Sequence, residues 1–112
     1  MNNLINHDLA HQYLIAEFTL RTLERDLKHL NDLKTAEVIE KLYEDVLTEV
    51  RADLVAINAQ MKREGLRFVG ERKISEVFIG FEFNQKGISD ELRYANYALR
   101  NHTLQAIKIK LG

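Results

Sequence analysis

The sequence contains no cysteine, no proline and no tryptophan among its 112 residues. The lack of cysteine excludes disulfide bonds, thiolate catalysis and cysteine-ligated zinc sites. The lack of proline favours long uninterrupted helices, because no residue removes a backbone N–H from a helix interior. Long apolar runs are missing too, since no window approaches the roughly 18 consecutive apolar residues of a membrane-spanning helix.

The composition is typical of a globular protein, with 46% hydrophobic and 29% charged residues. A chain of this length predicts one domain that covers residues 1–112. Residues 1–13 lack the basic segment and the uninterrupted apolar core of a secretory signal peptide. A cytoplasmic location is therefore expected.

The net charge of −1 is unevenly spread along the chain. Residues 35–64 carry four Lys/Arg against seven Asp/Glu, whereas residues 65–112 carry eight against five. The basic part could contact nucleic acid, or it could pack its polar face on the acidic part. Both interpretations remain open at this stage, and the small size of the excess favours the second.

Two long segments carry apolar residues at helical spacing. The apolar side of the first segment consists of Leu9, Tyr13, Ala16, Leu20, Leu23, Leu27 and Leu30. The apolar side of the second consists of Ile39, Tyr43, Val46, Val50, Leu54, Ile57 and Met61. Asn3 or Asn6 is predicted to cap the first helix, and Gly65 is predicted to end the second. Because the break at residues 31–34 is short, the helices should lie antiparallel.

The segment between Gly65 and Gly87 has the two-residue period of a strand, because Val77, Ile79, Phe81 and Phe83 alternate with Phe78, Gly80 and Glu82. A lone strand needs a hydrogen-bonding partner, and residues 66–70 are the nearest candidate. Ser89 is predicted to cap a third helix. Residues 107–111 alternate and could form a strand, although helix is favoured. The predicted fold is α+β and mostly helical, with a long antiparallel helical hairpin, a β-hairpin and a C-terminal helix.

Some histidines and carboxylates occur at spacings that could serve catalysis or metal binding. His7 and His11 have the i, i+4 spacing of two metal ligands on one helix face, but no third ligand can be named. Solvent-facing histidines are the favoured interpretation, and His102 is expected to have a structural role. A solvated helix face explains Glu37, Glu40, Glu44, Asp45, Glu49 and Asp53. The sequence thus predicts no catalytic residue, no metal site and no cofactor, and it predicts a protein that is not an enzyme.

The central strand is apolar on both faces, and a single chain offers few elements to cover both. An uncovered edge strand also invites pairing with another chain. We therefore expect a homodimer, with the hairpin and the first helix at the interface. The expected function is that of a small non-enzymatic interaction or regulatory protein that acts through oligomeric helical and β-edge surfaces. The candidate interaction residues are Val77, Phe78, Ile79, Phe81 and Phe83.

The alternative is a small nucleic-acid-binding regulator that uses the basic C-terminal helix and the hairpin. Basic side chains can bind phosphate, and neighbouring tyrosines can stack on bases. The candidate residues for this alternative are Arg67, Arg72, Lys73, Arg93 and Arg100. The favoured interpretation is that the tyrosines of the third helix pack in the core and that its arginines pair with the acidic helix.

Overall fold

The computed structural model describes residues 4–30 and 37–112. The elements of this part of the chain are, in order, α1 (His7–Leu30), α2 (Glu37–Glu64), β1 (Leu66–Lys73), β2 (Phe78–Gln85), β3 (Ile88–Ala95) and α3 (Asn96–Leu111). The predicted α+β, mostly helical fold is thus confirmed. The predicted break at residues 31–34 and the alternative cap Asn3 lie outside the described residues. Among the helices described, none is both long and apolar enough to cross a membrane.

Asn6 caps α1 and also ties its first turn to two other elements. Its Oδ1 accepts a hydrogen bond from the Leu9 N–H at 3.1 Å, which satisfies a free donor of the first turn. Its Nδ2 donates to Glu64 Oε1 at 2.8 Å, and its N–H donates to Gln85 Oε1 at 2.7 Å. The start of α1 therefore lies beside the end of α2. Since Arg51 also reaches Glu24 at 3.3 Å, the two helices run antiparallel.

The predicted end of α2 is confirmed by the backbone at Gly65. Gly65 has a φ of 72°, the left-handed conformation that favours glycine. Its N–H donates to the carbonyl of Lys62 at 3.3 Å. The next residue, Leu66, begins β1 and is buried in the same cluster as Met61. One glycine thus turns the chain from the helix directly into the sheet.

The sheet has three antiparallel strands in the order β1-β2-β3, so the predicted hairpin is extended by a strand that the sequence did not predict. Lys86 and Gly87 form the two-residue connection with φ values of 53° and 89°, and positive φ at both residues is typical of a type I′ turn. The prediction that Ser89 caps a helix is therefore wrong, because β3 pairs with β2 along its whole length. α3 begins only at Asn96, and residues 107–111 are helical as favoured.

Buried side chains form two clusters that share α1. The first joins the N-terminal half of α1 to one face of the sheet and contains Ile5, Leu9, Ala10, Leu14, Met61, Leu66, Phe81, Phe83, Leu92 and Leu99. The second lies among the three helices and contains Leu23, Val46, Leu47, Val50, Leu54 and Ile107. α1 of the same chain thus covers the inner face of the sheet, which the sequence left for a second chain to cover.

Candidate functional site

The face of the sheet turned away from α1 carries a three-residue ionic cluster. Arg72 lies opposite Gly80 on β2, and Gly80 lies opposite Arg93 on β3. The Glu91 carboxylate accepts hydrogen bonds from Arg72 Nη2 at 2.9 Å and from Arg93 Nε at 2.8 Å. The hydrogen bonds from Arg72 and then Arg93 lower the pKa of Glu91.

Arg67, Arg72 and Arg93 lie on this outer sheet face, whereas Lys73 pairs with Ile79 and lies on the opposite side of β1. Neighbouring carboxylates offset part of the positive charge. Arg72 and Arg93 share the Glu91 carboxylate, and Lys73 reaches Glu76 at 3.3 Å. Arg67 is exposed on β1, opposite Asn84. The prediction that Arg93 belongs to a third helix is wrong, since it lies on β3. Arg100 does lie on α3, apart from the paired strands that carry the other candidates.

The candidate interaction residues of β2 divide between core and surface. Phe81 and Phe83 are fully buried under α1, so they are not available to a partner. Ile79 is partly buried against the same cluster. Val77, which precedes β2, and Phe78, its first residue, are each about half exposed. Only these last two remain on the surface.

A line of exposed apolar side chains runs along one side of α3. Tyr97, Leu104 and Leu111 are spaced by seven residues and are 67%, 53% and 37% exposed. Residues at this spacing lie on one side of a helix, and Arg100 and Lys108 lie between them on the same side. We call these five residues the α3 stripe. The expectation that Tyr97 packs in the core is therefore wrong, and its seven-residue spacing to the two leucines does not by itself distinguish an exposed side of the helix from a buried one.

A second exposed surface of opposite charge lies on the N-terminal half of α2. Val38, Leu42, Asp45 and Glu49 follow one another at intervals of four, three and four residues, so they lie on one side of the helix. All four are exposed, and Val38 is 83% exposed. We call these four residues the α2 patch. From the sequence, Asp45 and Glu49 were expected only to belong to a solvated helix face.

A groove among the three helices has a volume of about 470 Å³. We call it the three-helix groove. Lys110 on α3 and Asp53 on α2 form an ion pair of 2.7 Å at its wall. Thr19 on α1 also lines the groove, and its buried hydroxyl has no hydrogen-bond partner in the described structure. No sequence motif indicated this site, because its residues come from three separate helices.

His11 lies at the groove between two aromatic residues. Its Nδ1 is 2.7 Å from the Tyr94 hydroxyl, and its ring centroid is 5.1 Å from that of His102. Burial raises the pKa of Tyr94 to about 12, so this hydroxyl keeps its proton at neutral pH and can either donate to Nδ1 or accept from an Nδ1–H. Burial, and then the nearby His102, lower the pKa of His11. A neutral imidazole that accepts at Nδ1 carries its own proton at Nε2.

His7 and His11, near the start of α1, are not free side chains in solvent, contrary to expectation. His7 Nε2 is 2.7 Å from Asp90 Oδ2, so both His7 and His11 contact β3. They serve to hold the first turns of α1 against the edge of the sheet. Within residues 4–30 and 37–112, no group of three or more histidine and carboxylate side chains is arranged to hold a metal ion.

Comparisons with known proteins identify a family but no activity. The YhjD protein family matches residues 3–111 of the chain. No curated protein and no solved structure matches it. The family name states no substrate, ligand or partner, so the function must be argued from the surfaces described above. Because the match covers nearly the whole chain, this protein belongs to the YhjD protein family.

Proposed function

We propose that this protein is a small non-enzymatic interaction protein that associates with a second copy of itself. In the proposed contact, the α3 stripe of each copy packs on the α2 patch of the other. The observation that carries this proposal is the complementarity of the two surfaces. Both are apolar along one side of a helix, and one adds Arg100 and Lys108 while the other adds Asp45 and Glu49.

Apolar exposure gives the reason for association. Tyr97 and Leu104 on the stripe and Val38 on the patch expose more than half of their surface to solvent. Burial of a large apolar side chain contributes roughly 1.5–3 kcal/mol, so two such lines that cover each other favour a complex. Exposed apolar residues that are grouped rather than scattered are typical of interaction surfaces.

Charge selects which surfaces meet. If the α3 stripe paired with the α3 stripe of the other copy, Arg100 and Lys108 would face like charges across the contact. A contact between the stripe and the α2 patch instead places these cations beside carboxylates. The chain already makes one such contact internally, because Lys110 of α3 pairs with Asp53 of α2 at 2.7 Å.

The proposed contact joins two different surfaces, so it closes into a dimer only where a two-fold axis relates the two copies. We propose this closed form, in which each copy contributes one stripe and one patch and the contact is made twice. A closed dimer leaves neither surface free and does not propagate into a filament.

Sedimentation equilibrium at micromolar concentration tests the assembly, and we expect twice the chain mass of 13.1 kDa. The double variants R100E/K108E and D45K/E49K should each sediment as monomers, because each places like charges across the contact. An equimolar mixture of the two should again sediment as a dimer, since the reversed charges are complementary. Recovery in the mixture also shows that both variants are folded.

A matched control reverses charges on the outer sheet face. We expect R67E/E82K to remain dimeric, because neither residue belongs to the stripe or the patch. A wild-type mass of 13.1 kDa would contradict self-association. A dimer that only R67E/E82K disrupts would contradict the helical interface and would favour one built on the sheet.

A further inference from the structure

We propose that the three-helix groove binds a small amphipathic monocarboxylate, with its carboxylate at Lys110 and Thr19 and its alkyl body along the groove. This inference does not depend on self-association, because none of the groove residues belongs to the α3 stripe or the α2 patch.

The size and the apolar lining of the groove suit a short alkyl chain. Its volume of about 470 Å³ lies within the range of roughly 300–1,000 Å³ that is usual for small-molecule sites. The apolar lining residues are all aliphatic, namely Ile15, Ala16, Val50, Ala56, Ile57 and Ala106. Apart from the His11 imidazole at one end, the lining carries no aromatic ring, so most of the groove offers contacts to methylene groups.

Three polar residues of the groove, Thr19, Asp53 and Lys110, meet at one end, whereas His11 and Gln12 lie at the other end with aliphatic side chains between. The Asn6–Glu64 and Glu24–Arg51 contacts fix the antiparallel alignment of α1 and α2, and this alignment brings Thr19 to about the level of Asp53. Lys110 joins them there through its ion pair with Asp53. A ligand with one polar head and an apolar body fits this distribution, with the body running towards His11 at the other end.

The free hydrogen-bond donors at the polar end favour a ligand that accepts hydrogen bonds. An ammonium group has three donors, and Asp53 uses one donor of Lys110, so two remain. The Thr19 hydroxyl adds a further donor that has no partner in the described structure, although only 2% of the residue is exposed. Such a group is costly to leave unpaired. A carboxylate supplies two acceptor oxygens and no donor, which is the complement of this set.

The probe that tests the proposal is decanoate, added below its micelle concentration and followed by isothermal titration calorimetry on the full chain. We expect one site per chain, and we expect decanol, which has the same chain without the charge, to bind at least tenfold more weakly. The variant Lys110→Met should weaken decanoate binding at least tenfold. Lys28→Met, an exposed lysine of α1 outside the groove, is the matched control and should bind like the wild type.

A second variant separates loss of the site from loss of the fold. Asp53→Asn leaves Lys110 without its carboxylate partner and removes the charge that repels the ligand, so decanoate should bind more tightly. A misfolded protein would instead bind more weakly in both variants. The proposal is overturned if the wild type shows no heat of binding at millimolar decanoate. It is also overturned if decanol binds equally well, or if Lys110→Met and Asp53→Asn change the affinity in the same direction.

Discussion

The carboxylate of Glu91 lies directly over Gly80, with its Cδ only 2.6 Å from the position that a Cβ atom at residue 80 would occupy. Residue 80 stands between Arg72 and Arg93 in the register of the sheet. Without a side chain there, Glu91 can cross the central strand and accept hydrogen bonds from both arginines. The glycine is therefore a condition of the ionic cluster on the outer sheet face.

This relationship predicts that the effect of Gly80→Ala depends on Glu91. In the wild type, the new methyl group displaces the carboxylate, and the protein should become less stable to urea. In a Glu91→Ala background the space is free, and alanine should stabilise the strand by roughly 0.5–1 kcal/mol relative to glycine. A double-mutant cycle measured by urea unfolding tests the coupling. Equal effects in the two backgrounds would contradict it.

The end of α2 provides a second prediction, at Gly65. Gly65→Ala should lower the free energy of unfolding by about 1 kcal/mol, since a Cβ is disfavoured at a φ of 72°. The new atom would also come within 3.0 Å of Lys86 Cγ. Gly70→Ala is the matched control, because a Cβ atom at residue 70 would have no neighbour within 4 Å other than its own residue and the adjacent residues of the chain. If urea unfolding showed both variants to be equally stable, the left-handed conformation would not explain the glycine.

Local signals in the sequence sufficed for α1, for α2 and for the apolar face of β2. The end of α2 was predictable because a left-handed glycine is a local requirement, and Asn6 was predictable because its cap spans only three residues. Burial of Phe81 and Phe83 on one side of β2 followed from their alternation. Each of these features depends on neighbours within about one turn or one strand.

β3 could not be predicted in the same way, because two local signals compete at its start. Ser89 followed by Asp90 and Glu91 is typical of a helix N-terminus, and only pairing with β2 decides for a strand. The type I′ turn at Lys86 and Gly87 places this segment beside β2, where it pairs as a strand. The Lys-Gly pair is a weak signal for a type I′ turn, because Asn or Asp normally precedes the glycine.

The candidate sites depend on contacts between distant parts of the chain. Thr19, Asp53 and Lys110 are brought together only when three helices pack, so no spacing in the sequence could reveal the groove. The exposed side of α3 could not be predicted for a related reason. The buried side of α3 carries Leu99, Thr103 and Ile107, and only packing against the other helices distinguishes it from the exposed side with Tyr97 and Leu104.

The setting of His11 predicts how stability changes with pH. Its pKa is lowered by burial first and by His102 second, while Asp8 opposes this effect. In the unfolded chain a histidine takes up a proton near pH 6.5. As the pH falls below 6.5, the unfolded state therefore binds a proton that folded His11 does not yet bind, and the free energy of unfolding should decrease until the folded pKa is passed.

Urea unfolding at pH 7.5 and pH 5.5 measures this dependence. We expect His11→Gln to lose less stability between the two pH values than the wild type does. His29→Gln, which removes an exposed imidazole from the same helix, is the matched control. An unchanged loss of stability in His11→Gln would contradict the prediction and would assign the pH dependence to other groups.

The last prediction concerns the hydroxyl of Thr19, which is buried without a hydrogen-bond partner in the described structure. Thr19→Val keeps the β-branched shape but removes the unpaired polar group, so it should raise the free energy of unfolding by about 1 kcal/mol. Thr19→Ser keeps the hydroxyl and removes a buried methyl group, so it should lower that free energy by about 1 kcal/mol.

Urea unfolding and decanoate titration of the same two variants together distinguish a packing residue from a binding residue. If Thr19 holds a ligand oxygen, Thr19→Val should be more stable and yet bind decanoate more weakly, whereas Thr19→Ser should be less stable and still bind. Such opposite effects cannot arise from a general change in packing. A less stable Thr19→Val would show instead that the hydroxyl has a partner within the fold, which would remove it from the set of free donors at the groove.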